Sequence, residues 1–240
     1  AVLTNEPAGP KQNADIRKAY SRIAEQEDEQ LREIIANTYG QIALIDHNVG
    51  RLLIALNDAG LAEDTIVIYI SDHGDWLGDH GLILKGPMHY EGLLRVPMII
   101  RGAGIKAGRI VDEPVSTLDL GPTFYDYAGA EALQTQHGQS LRPLLETQEA
   151  TRDFAMNEWE LLPTRAGVAL SLRTVRTKTH KLTVDLQSGS GEFYDLENDP
   201  VELRNLFNTE EAKDIQTALM NYIQSRPNDM RPNAVQVGMA

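Results

Sequence analysis

The sequence predicts an α/β protein that carries a smaller antiparallel subdomain at its C-terminal end. Three observations support this: an apolar helical stripe precedes a short apolar strand, a second apolar strand follows a polar loop, and strand-like runs accumulate after about residue 150. Alternating helices and strands are typical of α/β folds, and short alternating runs around turns are typical of antiparallel meanders. We therefore divide the chain into residues 1–150, the α/β part, and residues 151–240, the subdomain.

The first long element is a predicted helix from about Asp15 to Asn57, preceded by a connecting arm over residues 1–13. Few helix breakers interrupt it, and its apolar residues recur at three- and four-residue steps, which places them on one face that we expect to point inward. These apolar residues are Ile34, Ile42, Ile45, Val49, Leu52, Leu53 and Leu56. Gly60 is a suitable stop, because glycine takes the left-handed conformation that ends helices.

Two strands and a capped helix follow. The apolar residues 65–70 predict one strand, and residues 96–100 predict a neighbouring strand whose start at Pro97 suits proline. Ser116 or Thr117 can cap a helix that runs toward Gly129.

The C-terminal subdomain is predicted from its turn and its alternation. Residues 169–176, 181–184 and 192–194 are strand-like, and the last two flank a Gly-Ser-Gly turn, which predicts an antiparallel meander. Apolar residues within 202–225 predict a packed helix before a tail that contains Pro and Asn.

Composition indicates a globular protein and argues against two classes of partner. The chain has 240 residues, of which 42% are hydrophobic, enough for a substantial core. A net charge of −13 without any basic run argues against a nucleic-acid partner. No run approaches the roughly 18 apolar residues that would cross a membrane, so no membrane partner is expected. Cysteine is absent, which removes disulfides without naming a compartment, and the localisation stays open.

A candidate metal and anion site follows the first strand. Asp72 and His73 come directly after it, and ligands bind at the carboxyl ends of strands in open α/β sheets. Lys85 follows a glycine-broken loop that we expect to be flexible, and its ammonium group can return over this site. Taken alone, an Asp-His pair after a strand is more often a turn or a cap, and a lone lysine is usually solvated.

The segments SDHGDWLGDHGLILKG (residues 71–86) and HYEGLLRVPMII (residues 89–100) resemble the type I, arylsulfatase-like sulfatase family of the alkaline phosphatase superfamily. The likeness extends over roughly residues 37–207. It implies an alkaline-phosphatase-type core, with helices against a mainly parallel sheet, and hydrolysis of sulfate esters. Small-molecule or glycan sulfate esters are then the expected substrates, whereas the oligomeric state stays open.

The resemblance also implies roles for particular residues. Asp72 and His73 correspond to metal ligands, and Lys85 corresponds to the catalytic lysine that contacts the sulfate. His89 is a further candidate for substrate binding. Calcium is the ion that the family favours, with manganese as the alternative, because imidazole suits transition metals better than calcium.

The chain lacks two features of complete sulfatases. No Cys-x-Pro-x-Arg or Ser-x-Pro-x-Arg motif is present to supply formylglycine, and an early Asp-Asp pair of metal ligands is also missing. The sequence therefore reads as the C-terminal half of a sulfatase, and we expect it to be inactive alone. The alternatives are a phosphonate or phosphate diester hydrolase of the same superfamily, and a non-catalytic binding protein that keeps this half.

Overall fold

The computed structural model describes residues 28–131, 133, 136–163, 167 and 169–227. It begins with helix α1, Asp28–Asp58, which confirms the predicted long helix over this range. The arm over residues 1–13, the helix start at Asp15 and the tail after residue 227 lie outside the described residues. None of the residues of α1 is buried, so the expectation of an inward-facing stripe is wrong. Periodicity shows which residues share a face, but it does not show whether another element covers that face.

Strands β1, Val67–Ile70, and β2, Met98–Arg101, confirm the two predicted strands. They pair antiparallel, with Val67 opposite Arg101, so the expected mainly parallel pairing is not what these strands form. A parallel connection needs a crossover of a dozen or more residues, usually a long helix. The segment between β1 and β2 instead contains a single 3₁₀ turn and the four-residue helix α2, Glu91–Leu94.

Helix α3, Leu120–Ala128, starts and stops where the sequence predicts. Before it, the Ser116 hydroxyl accepts a hydrogen bond from the backbone N–H of Leu118, and the Asp119 carboxylate accepts one of 2.7 Å from the N–H of Ser116. This reciprocal arrangement satisfies amide groups that have no partner within the helix. Gly129, at φ 62°, ends the helix, and helix α4, Arg142–Thr147, follows.

The C-terminal part is a four-stranded antiparallel sheet with strands in sequence order. Its strands are β3, Phe154–Leu161, β4, Leu170–Thr177, β5, His180–Asp185, and β6, Gly191–Asp195. The predicted meander is confirmed as β4 to β6, whereas β3 was not predicted. Helix α5, Lys213–Gln224, is the packed helix expected near the C-terminal end. The division near residue 150 stays a prediction.

Two apolar clusters form the core. One packs the segment between β1 and β2 against the four-stranded sheet; its members are Trp76, Leu82, Met88, Tyr90, Leu93, Leu161, Leu170, Leu172 and Tyr194. The other packs α5 against the same sheet; its members are Val175, Leu182, Val184, Phe193, Ala212, Leu219 and Ile223. The candidate site segment therefore rests on the C-terminal sheet. No helix in the described part of the chain is long and apolar enough to cross a membrane.

Candidate active site

Asp72 and His73 lie just beyond the end of β1, where the sequence places them. Their side chains are 84% and 39% exposed, and Asp72 Oδ2 lies 3.5 Å from His73 Nε2. Both residues line a cavity of about 1130 Å³, and Lys85 and His89 line the same cavity. The structure thus brings all four predicted site residues to one cavity.

The hydrogen bonds around His73 leave one ring nitrogen free to bind a cation. Nδ1 lies 2.7 Å from the carbonyl oxygen of Gly74. Because a carbonyl only accepts hydrogen bonds, Nδ1 carries the proton in this contact, and Nε2 is the ring nitrogen left beside the Asp72 carboxylate. A bond from the second ring nitrogen to a backbone carbonyl is the usual way to orient a metal-binding histidine.

Asp72 is held in its charged form. The backbone N–H of His73 donates a 2.9 Å hydrogen bond to Oδ1. This bond is the largest cause of a lowered pKa for the Asp72 carboxyl, with smaller contributions from the charges of His73 and Lys85. A carboxylate oxygen beside an imidazole nitrogen suits a divalent cation. However, no group of three or more His, Cys, Asp or Glu side chains in the described residues could hold a metal. This pair would supply only part of a coordination shell.

Lys85 lies at the exposed tip of a loop that is packed on both sides. Leu82, Ile83 and residues 86–90 are buried on either side of it. The Asp75 carboxylate accepts 2.8 Å hydrogen bonds from the backbone N–H groups of Leu77 and Leu84, which closes the loop. Gly74, at the start of the loop, serves tight packing, because a Cβ on it would lie 2.0 Å from the carbonyl oxygen of Gly92.

His89 is buried and uncharged. It is 3% exposed, and its Nδ1 lies 2.7 Å from the hydroxyl of Thr174 in β4. Burial, reinforced by the charge of Lys181, lowers the pKa of His89 to about 3. A role in substrate binding would therefore use a neutral imidazole.

Sequence reasoning missed a largely buried group of charges at the wall of the cavity. Glu91 in α2 lies 3.3 Å from Arg176 Nη2 and 3.6 Å from Lys181 Nζ. Lys181 also pairs with Glu202, whose second oxygen accepts a 2.7 Å hydrogen bond from the Glu91 backbone N–H. Arg176 is 85 residues from Glu91 in the sequence, and Glu202 is 111 residues from it. No motif or spacing in the sequence near Glu91 therefore identifies these partners.

Glu192 is a second buried acid that the sequence did not single out. The Tyr90 hydroxyl donates a 3.1 Å hydrogen bond to it, and the ring of His80 stacks on Tyr90 with centroids 3.7 Å apart. Burial raises the pKa of Glu192 to about 7, although the charge of Lys181 opposes the shift. This carboxyl therefore changes charge near neutral pH.

Two family models match the chain. The sulfatase model matches residues 2–130, and the model of the C-terminal region of N-sulphoglucosamine sulphohydrolase matches residues 78–229. Together they include all four predicted site residues.

Individual relatives agree with these models. The chain is 38% identical over 189 residues to an arylsulfatase from Clostridium perfringens and 34% identical over 199 residues to an N-acetylglucosamine-6-O-sulfatase from Bacteroides thetaiotaomicron. These alignments cover 77% and 80% of this chain but only 38% and 35% of the relatives. The chain thus spans little more than a third of their length.

Solved structures share the fold. A protein in complex with its substrate D-glucosamine-2-N,6-O-disulfate matches with a TM-score of 0.66 and 33% identity, covering 76% of this chain and 38% of that one. The phosphonate monoester hydrolase of Agrobacterium radiobacter matches with a TM-score of 0.75 and 29% identity, covering 84% of this chain and 42% of that one. These likenesses confirm the predicted α/β fold of the alkaline phosphatase type.

Proposed function

Because the chain belongs to the sulfatase family, we propose that it forms the C-terminal part of a metal-dependent enzyme that hydrolyses sulfate esters. The observation that carries this proposal is the meeting of Asp72, His73 and Lys85 at one cavity. These residues supply a carboxylate, an imidazole and an ammonium group. Sulfate ester cleavage needs fixed positive charge, because negative charge builds up on the sulfuryl and leaving oxygens.

Asp72 and His73 would hold a divalent cation through Oδ2 and Nε2, the two atoms that lie 3.5 Å apart. A bound cation supplies polarisation of a sulfuryl oxygen and stabilisation of a deprotonated nucleophile. We propose calcium as the ion, with manganese as the alternative because of the imidazole ligand. The remaining ligands would come from a part of the enzyme beyond this sequence.

Lys85 would contact the reacting sulfate group. Its position on a packed loop fixes the backbone from which the side chain extends, so the ammonium group can offset charge on the leaving oxygen with little reorganisation. The nucleophile would be a formylglycine on another part of the enzyme, because this sequence has no cysteine and no matching serine motif.

The substrate class that we propose is a sulfate ester of a small molecule or a glycan. Two similar proteins, an N-acetylglucosamine-6-O-sulfatase and the protein in complex with a glucosamine disulfate, support the sugar sulfates within this class. The likeness to a phosphonate monoester hydrolase keeps phosphonate esters as a second candidate.

The test uses the full-length enzyme that contains this chain. Release of sulfate from 4-nitrophenyl sulfate and from glucosamine 6-sulfate is compared with hydrolysis of 4-nitrophenyl phenylphosphonate. We expect sulfate release to have the higher kcat/KM, together with a mass shift from formylglycine outside these 240 residues. Hydrolysis of the phosphonate alone would favour the second candidate, and the absence of both activities would contradict an enzymatic role.

A further inference from the structure

Three buried polar side chains form a chain of hydrogen bonds that runs from the C-terminal sheet to the cavity. His89 Nδ1 lies 2.7 Å from Thr174 Oγ1, which lies 2.8 Å from Thr183 Oγ1. Thr174 and Thr183 are direct partners in the register of β4 and β5. All three residues are at most 3% exposed, so water does not compete for these bonds.

The direction of these bonds follows from the number of donors. Each threonine hydroxyl has one hydrogen, and no described residue other than Thr174 bonds the Thr183 hydroxyl. If Thr183 donates to Thr174, then Thr174 donates to Nδ1 of His89 and every hydroxyl hydrogen is used. The reverse direction would leave the Thr183 hydrogen buried without a partner, which is unfavourable. The chain of bonds therefore favours the tautomer of His89 that carries its proton on Nε2.

Nε2 is the nitrogen that remains for a ligand. In the described part of the chain no hydrogen bond reaches it, whereas His89 itself lines the cavity that contains Asp72 and Lys85. The indole of Trp159 lies edge-on to the imidazole, with ring centroids 6.3 Å apart, and also lines this cavity. His89 thus offers the cavity a single, oriented and uncharged N–H donor.

An uncharged donor suits an uncharged oxygen. Lys85 already offers the cavity a positive charge for the sulfate, and burial keeps His89 neutral, since its pKa is lowered to about 3 by burial and then by Lys181. The alcohol portion of a sugar sulfate carries hydroxyl, ring or amide oxygens beside the ester. A simple aryl sulfate has no such oxygen beside the ester.

We infer that His89, oriented by Thr174 and Thr183, donates a hydrogen bond to an uncharged oxygen in the alcohol portion of the substrate, so that the site selects sugar sulfates over simple aryl sulfates. This inference rests on the proposed function and names the substrate class for the same cavity. His89 is then a specificity-determining residue, and Thr174 and Thr183 are positioning residues that act through it.

The test compares two substrates in the full-length enzyme, N-acetylglucosamine 6-sulfate and 4-nitrophenyl sulfate. His89→Phe removes the donor, and we expect it to lower kcat/KM about fivefold more on the sugar sulfate than on the aryl sulfate, the usual size of one lost hydrogen bond. His89→Gln retains an N–H donor and should lose less. Thr174→Val should also lower kcat/KM on the sugar sulfate, mainly by raising KM. Thr174→Ser, which keeps the hydroxyl, should have the wild-type ratio of kcat/KM on the two substrates.

Inhibition supplies a second measurement that does not depend on His89→Phe folding well. Unsulfated N-acetylglucosamine should inhibit hydrolysis of 4-nitrophenyl sulfate, and Thr174→Val should raise its inhibition constant several-fold while Thr174→Ser does not. Equal losses of kcat/KM on both substrates would overturn the inference, because they would indicate a structural role for His89. No loss on either substrate would also overturn it, because His89 would then not contact the substrate. If the wild-type enzyme releases sulfate from neither substrate, the proposed function itself fails and the inference fails with it.

Discussion

The indole Nε1 of Trp76 donates a 3.1 Å hydrogen bond to the carbonyl oxygen of Met88, and both residues are almost fully buried. This bond closes the base of the loop that carries Lys85 at its exposed tip. The loop is therefore held by packing against the C-terminal sheet, while the lysine side chain contributes little to that packing. Because the packing of this segment does not depend on the Lys85 side chain, mutating Lys85 tests its proposed role without disturbing the loop.

Lys85→Ala in the full-length enzyme should reduce catalysis far more than stability. A surface substitution usually changes the free energy of unfolding by within about 0.5 kcal/mol. Losing one preorganised charge contact in the transition state typically costs on the order of 10²–10³ in rate. Alkyl sulfates should lose more than activated aryl sulfates, because a poor leaving group develops more charge. Steady-state kinetics and thermal melts measure both effects.

Lys106→Ala is the matched control, since Lys106 is also an exposed lysine that lines the cavity. Lys106→Ala should leave kcat/KM close to the wild-type value on alkyl sulfates and on activated aryl sulfates. Unchanged kinetics in Lys85→Ala, or a change confined to its melting temperature, would make Lys85 a structural residue.

Asp72→Asn should weaken metal binding by at least about tenfold, because replacing the carboxylate removes a charged oxygen ligand. Isothermal titration of metal-free full-length enzyme with calcium measures the change. Asp112→Asn, which alters another exposed acid of the cavity, should bind calcium like the wild type. Equal affinity in Asp72→Asn and wild type would remove Asp72 from the metal site.

His73→Asn distinguishes the two candidate metals. Asparagine offers an oxygen ligand that suits calcium, whereas manganese, a transition metal, loses an imidazole ligand that suits it better than it suits calcium. We expect calcium-supported activity to be retained better than manganese-supported activity. The opposite order would point to manganese as the working ion.

The 240-residue chain alone should hydrolyse neither aryl sulfates nor phosphonate esters above background. It has no formylglycine motif, and its described residues contain no complete group of metal ligands. Prolonged assays of the purified chain, with calcium and with manganese, measure this. Turnover that disappears in Asp72→Ala would show that the nucleophile lies within these residues.

Glu192 should make the stability of the folded protein fall as the pH rises through neutrality. Its folded pKa, raised mainly by burial, is about 7 against an ordinary 4.5. Its stabilising contribution is therefore complete below about pH 4.5 and is lost as the pH rises through 7. A shift of this size corresponds to about 3 kcal/mol. Glu192→Gln mimics the protonated acid, so it should match the wild type at low pH and exceed its stability at pH 8.

His89 makes the free energy of unfolding change with pH in the opposite direction. The contribution of Glu192 must therefore be measured as a difference between two proteins that both contain His89. Its pKa is lowered from 6.5 to about 3 by burial and by Lys181, so its contribution is present above pH 6.5 and is lost as the pH falls toward 3. Subtracting the unfolding free energy of Glu192→Gln from that of the wild type at each pH isolates the Glu192 part. A flat difference for Glu192→Gln would refute the prediction.

The sequence alone determined the local features of this protein. The cap at Ser116 and the stop at Gly129 were predictable because a helix end is made by residues within a few positions of it. The location of Asp72 and His73 beyond β1 was predictable for the same reason, and so was the meander of β4 to β6. Each of these depends on contacts between neighbours in the chain.

Only the tertiary structure decided the features that depend on distant residues. The apolar run of β1 does not encode the direction of its partner, and the stripe on α1 does not encode whether anything covers it. The loop that carries Lys85 packs on the C-terminal sheet, a contact that its glycines do not encode. Burial next to Thr174, 85 residues away, lowered the pKa of His89 and fixed a hydrogen-bond partner for its Nδ1. A side chain's charge and orientation depend on the atoms that surround it in space, and the residues adjacent in sequence supply only a few of them.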